Sequence, residues 1–263
     1  MSSAVRLDIL IPVYQEGAAI RRVLDHLAAN VRTPSRILIC YDHDHDSTLE
    51  HVRGYSPSPF EMVLVKNEGT GVHGAIMTGF RRSTASAVVV YPADDDTNAG
   101  ILDRMAELYG EGHDIVTPSR FMKGGCMKGC RWTKAALVRT AAFLLYHAAG
   151  LPTHDPTNGF RLFSRRIITE IPVESTSGFA FSIELLVKSC RRGWRVAEIP
   201  AVWFERKQGK SRFQILKWMP VYLRWFFYAF QSRLKDLTWA VWILGILLLY
   251  ALTVLLPKFA DKI

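Results

Sequence analysis

The chain predicts an α/β fold, with a mostly parallel sheet covered by helices on both faces and apolar helices at the C-terminal end. Short, β-rich apolar runs recur through the first hundred residues. Amphipathic stretches separate them, and strand, helix, strand at that rhythm builds a parallel sheet buried on both sides. The run 237–256, LTWAVWILGILLLYALTVLL, carries no charge. A helix of that length spans about 30 Å, the hydrocarbon thickness of a bilayer.

Taken in order, LDILIPV (7–13), RILICY (36–41), EMVLVK (61–66) and AVVVYP (87–92) read as strands. Segments 18–29, 47–53 and 72–82 between them read as amphipathic helices, and 99–109 as another. DIVTP (114–118) is a fifth strand. FMKGGCMKGC (121–130) is glycine-rich and basic and predicts a mobile loop. A helix is expected over 132–149, and a turn-rich segment over 153–161, where Asp-Pro and Asn-Gly break regular structure. Segment 179–190 predicts a helix and 194–204 one strand. In 214–231, Gln214, Lys217, Arg224 and Gln231 form a polar stripe beside Trp218, Tyr222, Trp225, Phe226, Phe227 and Tyr228. That pattern suits a helix lying in the membrane interface; a second spanning helix is the alternative. The expected organisation is therefore a domain over 1–212, an interfacial helix over 213–235 and a transmembrane helix over 236–257.

The chain has 263 residues and a net charge of +9. Excess cations beside an apolar tail favour anionic headgroups or phosphorylated substrates over nucleic acid. The start MSSAVRLDIL lacks the long apolar stretch of a signal peptide, which places the bulk of the chain in the cytosol as a single-pass, C-terminally anchored protein. The four cysteines are then free thiols.

Open parallel sheets bind ligands beyond the carboxyl ends of their strands. Those places are Pro12–Glu16, Asp42–Asp46, Ala93–Asp96 and Ser119 onward. Asp94, Asp95 and Asp96 follow the fourth strand directly. Asp94 and Asp96 can share one divalent cation, Mg²⁺ or Mn²⁺, or the three acids can cap the following helix with Asn98. Asp42-His43-Asp44-His45-Asp46 offers ligand contact through Asp42 or simply a polar loop. Arg120, Lys123, Lys128, Arg131 and Lys134 surround one glycine-rich loop, and Arg206, Lys207, Lys210 and Arg212 surround Gly209. Both clusters suit phosphate groups.

From Leu7 to Arg212 the chain resembles the family-two nucleotide-sugar glycosyltransferases with the Rossmann-like GT-A fold. More narrowly, it resembles the polyprenyl-phosphate glycosyltransferases typified by dolichyl-phosphate mannose synthase. Six motifs in order carry the resemblance: IPVYQE, CYDHDHDST, NEGTGVHGA, the SR of TPSRF, DPTNGFR and ERKQGKSRF. It implies that Pro12, Tyr14, Glu16, Asp42, Ala93, Asp94 and Asp95 contact the nucleotide, and that Arg206 and Arg212 bind diphosphate or phosphate. Two departures stand out: Tyr41 and His43 replace family residues, and Pro92 occupies the first acid of the family's Asp-x-Asp. Asp94 is selected either way. QILKW (214–218) is similar to the QxxRW motif of processive polysaccharide synthases, with Lys in place of Arg, and is read as coincidence.

The resemblance thus implies inverting transfer of one sugar from a UDP- or GDP-linked donor to a polyprenyl phosphate. Arg120, Arg131 and Lys134 are expected at the acceptor phosphate. Arg139 matches a family arginine, though five residues beyond Lys134 a regular helix points it elsewhere. Asp155 is expected near the reacting centre, either in catalysis or holding the turn or a basic residue. An acceptor hydroxyl would instead need a carboxylate base, Asp155 or Glu184; a tethered subunit without catalysis is the other rival. Self-association through the apolar helices is an expected partnership.

Overall fold

A computed structural model describes residues 6–55, 59–130, 132–204, 215–231 and 245–246. Seven strands form one sheet in the order β3-β2-β1-β4-β7-β5-β8. The first four are β1 (Leu7–Val13), β2 (Ser35–Tyr41), β3 (Glu61–Lys66) and β4 (Ala87–Val90). Helices α1 (Ala19–Asn30), α2 (Ser47–Val52) and α3 (Gly71–Arg82) connect them. A 3₁₀ turn (Ala99–Ile101) and α4 (Leu102–Gly110) lead into β5 (Ile115–Ser119).

Alternation along β1 explains the two-faced burial. Leu7, Ile9, Ile11 and Val13 enter one core with Ile20, Leu24 and Leu27 of α1. Leu10 enters the other with Ile76 and Phe80 of α3. Each such side chain contributes about 1.5–3 kcal/mol through burial, so both sheet faces need helices. Asp8, near the amino end of β1, is buried and accepts a two-pronged contact from Arg36 at 3.0 and 2.9 Å.

The second half departs from the sequence reading in three places. The glycine-rich loop contains β6 (Cys126–Lys128), parallel to β9 (Val202–Phe204) in a separate two-stranded sheet. The chain turns sharply there: a side chain on Gly125 would place its Cβ 2.3 Å from the Ser119 carbonyl oxygen. The single strand expected over 194–204 is two strands, β8 (Val196–Pro200) and β9, with β8 parallel to β5. The turn-rich segment runs directly into β7 (Arg161–Ser164), antiparallel to both β4 and β5. Four buried residues opening with an arginine carry no readable alternation. Because β7 runs against its neighbours, the turn before it lies at the edge where β4 and β5 end.

The remaining helices are α5 (Trp132–His147), α6 (Arg165–Glu170), α7 (Ala180–Arg191) and α8 (Ile215–Phe230). Part of the aromatic face that the sequence assigns to a bilayer is packed inside the domain. Trp225, Phe226 and Ala229 of α8 are buried in the α3-side core, and the Trp225 indole N–H donates to Ser175 Oγ at 2.8 Å. Among the described residues no helix is long and apolar enough to cross a membrane. The run 237–256 lies outside them except for residues 245–246.

Candidate active site

The loop leaving β1 is held by side chains from the loop leaving β2. Gln15 has a left-handed backbone, φ 55°, a conformation uncommon for any residue but glycine. Its N–H donates to both Asp46 carboxylate oxygens at 3.0 Å, and the Glu16 N–H donates to Thr48 Oγ1 at 3.0 Å. Asp46 also accepts from the Thr48 N–H at 2.8 Å, capping α2. Pro12 is half-buried, whereas Tyr14 stands exposed and Glu16 half-buried at this fixed turn.

Asp42 is committed to the start of α3. It accepts from Asn67 Nδ2 at 2.6 Å and from the Gly71 N–H at 3.0 Å. Gly71 has φ 65°, so glycine is the residue that fits there. Asp44 pairs with Lys66, and the His43 and His45 rings stack on each other at 5.4 Å. The acids of the 42–46 run are thus spread over three separate tasks.

At the exit of β4, Ala93 is buried and Asp94 and Asp96 are exposed on either side of a half-buried Asp95. Asp95 shapes the loop. It accepts from the N–H groups of Thr97 and Asn98 at 2.9 Å each and from Asn98 Nδ2 at 2.7 Å. Burial pushes its carboxyl above the usual range against the pull of those donors. Asn98 makes no capping bond with its own helix. Its side chain instead reaches β9, donating to the Val202 carbonyl at 2.7 Å and accepting the Val202 N–H at 2.9 Å. Lys134 of α5 sits 5.3 Å from the Trp203 ring on the same strand. The acidic exit and the cation-bearing helix are therefore joined through β9.

Among the described residues no three His, Cys, Asp or Glu side chains gather as a metal centre. Magnesium beside a diphosphate uses one or two carboxylates and takes its other ligands from phosphate and water. Two exposed acids flanking an immobilised one fit that donor set.

The cation side is built around Asp155, fully buried in the turn before β7. Arg120 follows β5 and donates to it through Nε at 2.6 Å, Nη2 at 2.8 Å and its own N–H at 3.1 Å. Burial disfavours the Arg120 charge, but Asp155 more than offsets this and raises its pKa. Arg161, wholly buried, donates to the carbonyls of Ser182, Asp155 and Pro156, and burial lowers its pKa to about 10. Of the two roles the sequence leaves open for Asp155, the geometry is that of holding a basic residue. Arg139 does join this group: its guanidinium lies 5.2 Å from the Phe121 ring, and that of Arg120 lies 5.1 Å from the same ring. Sequence reasoning missed Phe121 because an aromatic beside an arginine has no distinctive spacing. It also missed Asp46, although Asp-x-Thr ahead of a helix is a capping signal. Arg131, Arg206 and Arg212 lie outside the described residues.

The three-layer sheet, its antiparallel β7 and the ligand-ready strand exits define a GT-A-like α/β fold. The chain belongs to glycosyl transferase family 2, whose model matches residues 8–171. It is 28% identical to the dolichyl-phosphate hexose transferase of Haloferax volcanii over 202 residues, covering 76% of this chain and 83% of that protein. Identity to the polyprenol monophosphomannose synthase of Mycolicibacterium smegmatis is 27% over 155 residues, covering 57% of this chain and 58% of that one. The chain thus spans less than two thirds of that relative. The undecaprenyl-phosphate mannosyltransferase of Micrococcus luteus is 26% identical over 216 residues, covering 79% and 87%. In fold, the chain is similar to the glucosyl-3-phosphoglycerate synthase of Mycobacterium tuberculosis, solved with Mn²⁺, UDP and glucosyl-3-phosphoglycerate. The TM-score is 0.62 at 18% identity, covering 86% of this chain and 80% of that one. The family-two resemblance read from the six motifs is borne out.

Proposed function

We propose that this protein transfers a single sugar from a UDP- or GDP-linked donor to a polyprenyl phosphate at the cytosolic membrane face, with inversion. The observation that carries this reading is the state of the two carboxylates offered as a base for a hydroxyl acceptor. Asp155 is taken up by Arg120. Glu184, also fully buried, accepts from the Glu174 and Ser175 N–H groups at 2.6 and 2.8 Å and from Lys188 at 2.6 Å. A phosphate oxygen is already anionic and needs orientation more than deprotonation, which suits a cation-lined acceptor side.

In this reading Pro12, Tyr14, Glu16, Asp42, Ala93 and Asp95 shape the nucleotide subsite. Asp94 and Asp96 would hold Mg²⁺ or Mn²⁺, which would supply positive charge against a diphosphate leaving group. Arg206 and Arg212 attend the diphosphate. Arg120, Arg131, Lys134 and Arg139 draw and orient the lipid phosphate. Segments 213–235 and 236–257, read from the sequence as interfacial and membrane-spanning, would keep lipid headgroup and active site in one thin layer, so proximity would contribute to rate. The names of the relatives support the acceptor class.

The test is a donor screen in membranes supplied with undecaprenyl or dolichyl phosphate, following radiolabelled sugar into the solvent-extractable lipid. Incorporation that depends on the lipid phosphate is the expected result. Transfer to soluble saccharides, with polyprenyl phosphates inert, would overturn the reading.

A further inference from the structure

One polar cluster beside the site is used by nothing so far described. Glu198 of β8, half-buried beneath the turn that carries Asp155, lies opposite Thr117 of β5 in the parallel register. It binds two consecutive residues of that turn. The Thr153 hydroxyl donates to Oε2 at 3.0 Å, and the His154 N–H donates to the same oxygen at 2.7 Å. His154 Nδ1 lies 2.5 Å from Oε1. A carboxylate only accepts, so Nδ1 carries the proton. The next residue is tied in as well: the Asp155 N–H donates to Thr153 Oγ1 at 3.2 Å. On its other side the His154 ring stacks on Tyr146 of α5, with centroids 3.9 Å apart and planes 23° from parallel.

We propose that Glu198, with His154, is a positioning residue that sets the Asp155–Arg120 pair and seats α5 with its cations Lys134 and Arg139 against it. The physical reason is the position of Asp155. Its carboxylate fixes the Arg120 guanidinium and backbone together, so an error in the turn passes directly to the arginine. Turns are ordinarily the mobile parts of a fold. Here one carboxylate on a rigid strand fastens main chain, hydroxyl and ring at once. The tyrosine stack then links the helix bearing the other cations to the same anchor. Neither Glu198 nor His154 is required to touch substrate for this.

The experiment compares Glu198→Ala, Glu198→Gln and His154→Ala in the full chain. The first readout is amide hydrogen exchange. Glu198→Ala should speed exchange at 153–155 and at the Arg120 N–H at least tenfold and leave β1 unchanged. The second readout is kinetic and rests on the proposed lipid acceptor. The KM for polyprenyl phosphate should rise at least fivefold, while the Kd for nucleoside diphosphate stays within twofold. Gln keeps an acceptor for Thr153 and the His154 N–H, so it should recover both readouts to within threefold of wild type. Unchanged exchange at Arg120, nucleotide affinity falling in step with the lipid KM, or Gln as damaging as Ala would each overturn the proposal. Should Glu198→Ala fail to fold, His154→Ala decides. It removes the ring contacts alone and should speed exchange in the turn about threefold, and no change there refutes the idea. If the wild-type protein transfers no sugar to polyprenyl phosphate, the acceptor assignment falls, and the exchange arm still judges the positioning role.

Discussion

The exits of β1, β2 and β4 and the exit of β5 are built on opposite principles. At the first three, carboxylates bind backbone N–H groups: Asp46 holds Gln15, Asp42 holds Gly71, and Asp95 holds Thr97 and Asn98. Negative charge is used up in shaping loops, and the acids with exposed side chains, Asp94 and Asp96, stand beside one that is fixed. At the exit of β5, cations are held by a buried acid and by rings: Arg120 by Asp155, Arg139 by Phe121, Lys134 by Trp203. A main-chain donor shifts little once its loop is set, whereas a long cationic side chain must be immobilised against its own rotamer freedom. The first region should therefore respond to mutation through donor binding and turnover, and the second through the acceptor.

The largest expected effect breaks the first region at its exposed acid. Asp94→Ala should lower kcat at least about a hundredfold, the scale of losing one preorganised charge contact. Near-normal turnover at saturating donor and lipid phosphate would remove Asp94 from the site.

A smaller effect is expected from the second region. Arg120→Lys keeps the charge but loses the planar fork that meets both Asp155 oxygens. The KM for lipid phosphate should rise about tenfold, on the order of 1.4 kcal/mol, and sugar-nucleotide binding should stay within about twofold. The reverse pattern in initial-rate kinetics would move Arg120 to the donor side and collapse the distinction between the two regions.

Asp46→Ala tests whether loop shaping matters in its own right. It removes the α2 cap, worth about 1 kcal/mol, and with it the acceptor for a strained Gln15 N–H. Calorimetry should show a lower melting temperature, and titration a several-fold weaker nucleotide affinity, with the lipid KM unmoved. Affinity that holds while stability drops would confine Asp46 to structure.

The same contrast explains what the sequence could reveal. The rhythm of β1 to β4 is local, because each strand and helix announces itself in a window of about ten residues. The strand exits follow from that rhythm, and Asp42 and Asp94 are legible as residues at those exits, whereas Asp155 is legible only through the DPTNGFR motif. Their partners were not. Asp42 meets Asn67 and Gly71, and Asp155 meets Arg120 across 35 positions. Such pairings depend on strand order, and the decisive strand, β7, is four residues long and starts with a buried arginine. The phase of Arg139 on α5, measured from Lys134, points it elsewhere for a related reason: the ring beside it, Phe121, comes from the loop after β5.

The smallest effect on transfer sharpens the comparison by moving to the other edge of the sheet, where no ligand is expected. Burial alone would raise the Asp8 carboxyl, but the Arg36 guanidinium, the Ser83 hydroxyl and the Thr84 N–H together hold it below its ordinary value. A carboxylate depressed in the folded state stabilises the fold above its unfolded pKa of about 3.9, and that contribution is lost as pH falls through the folded value. Asp8→Asn should therefore cost about 1.5 kcal/mol near neutral pH, the scale of a hydrogen bond to a charged group, because the Arg36 left behind is only partly buried. The gap in melting temperature between wild type and variant should narrow steadily from pH 5 down to pH 3. Sugar transfer at neutral pH should be unaffected in the folded fraction, because this pair lies at the amino end of β1. A gap that stays constant or widens in acid would mean that Arg36 does not hold Asp8 ionised. A loss of transfer at full folding would mean that the two edges of the sheet are coupled, and that the exits are not set by their own loops alone.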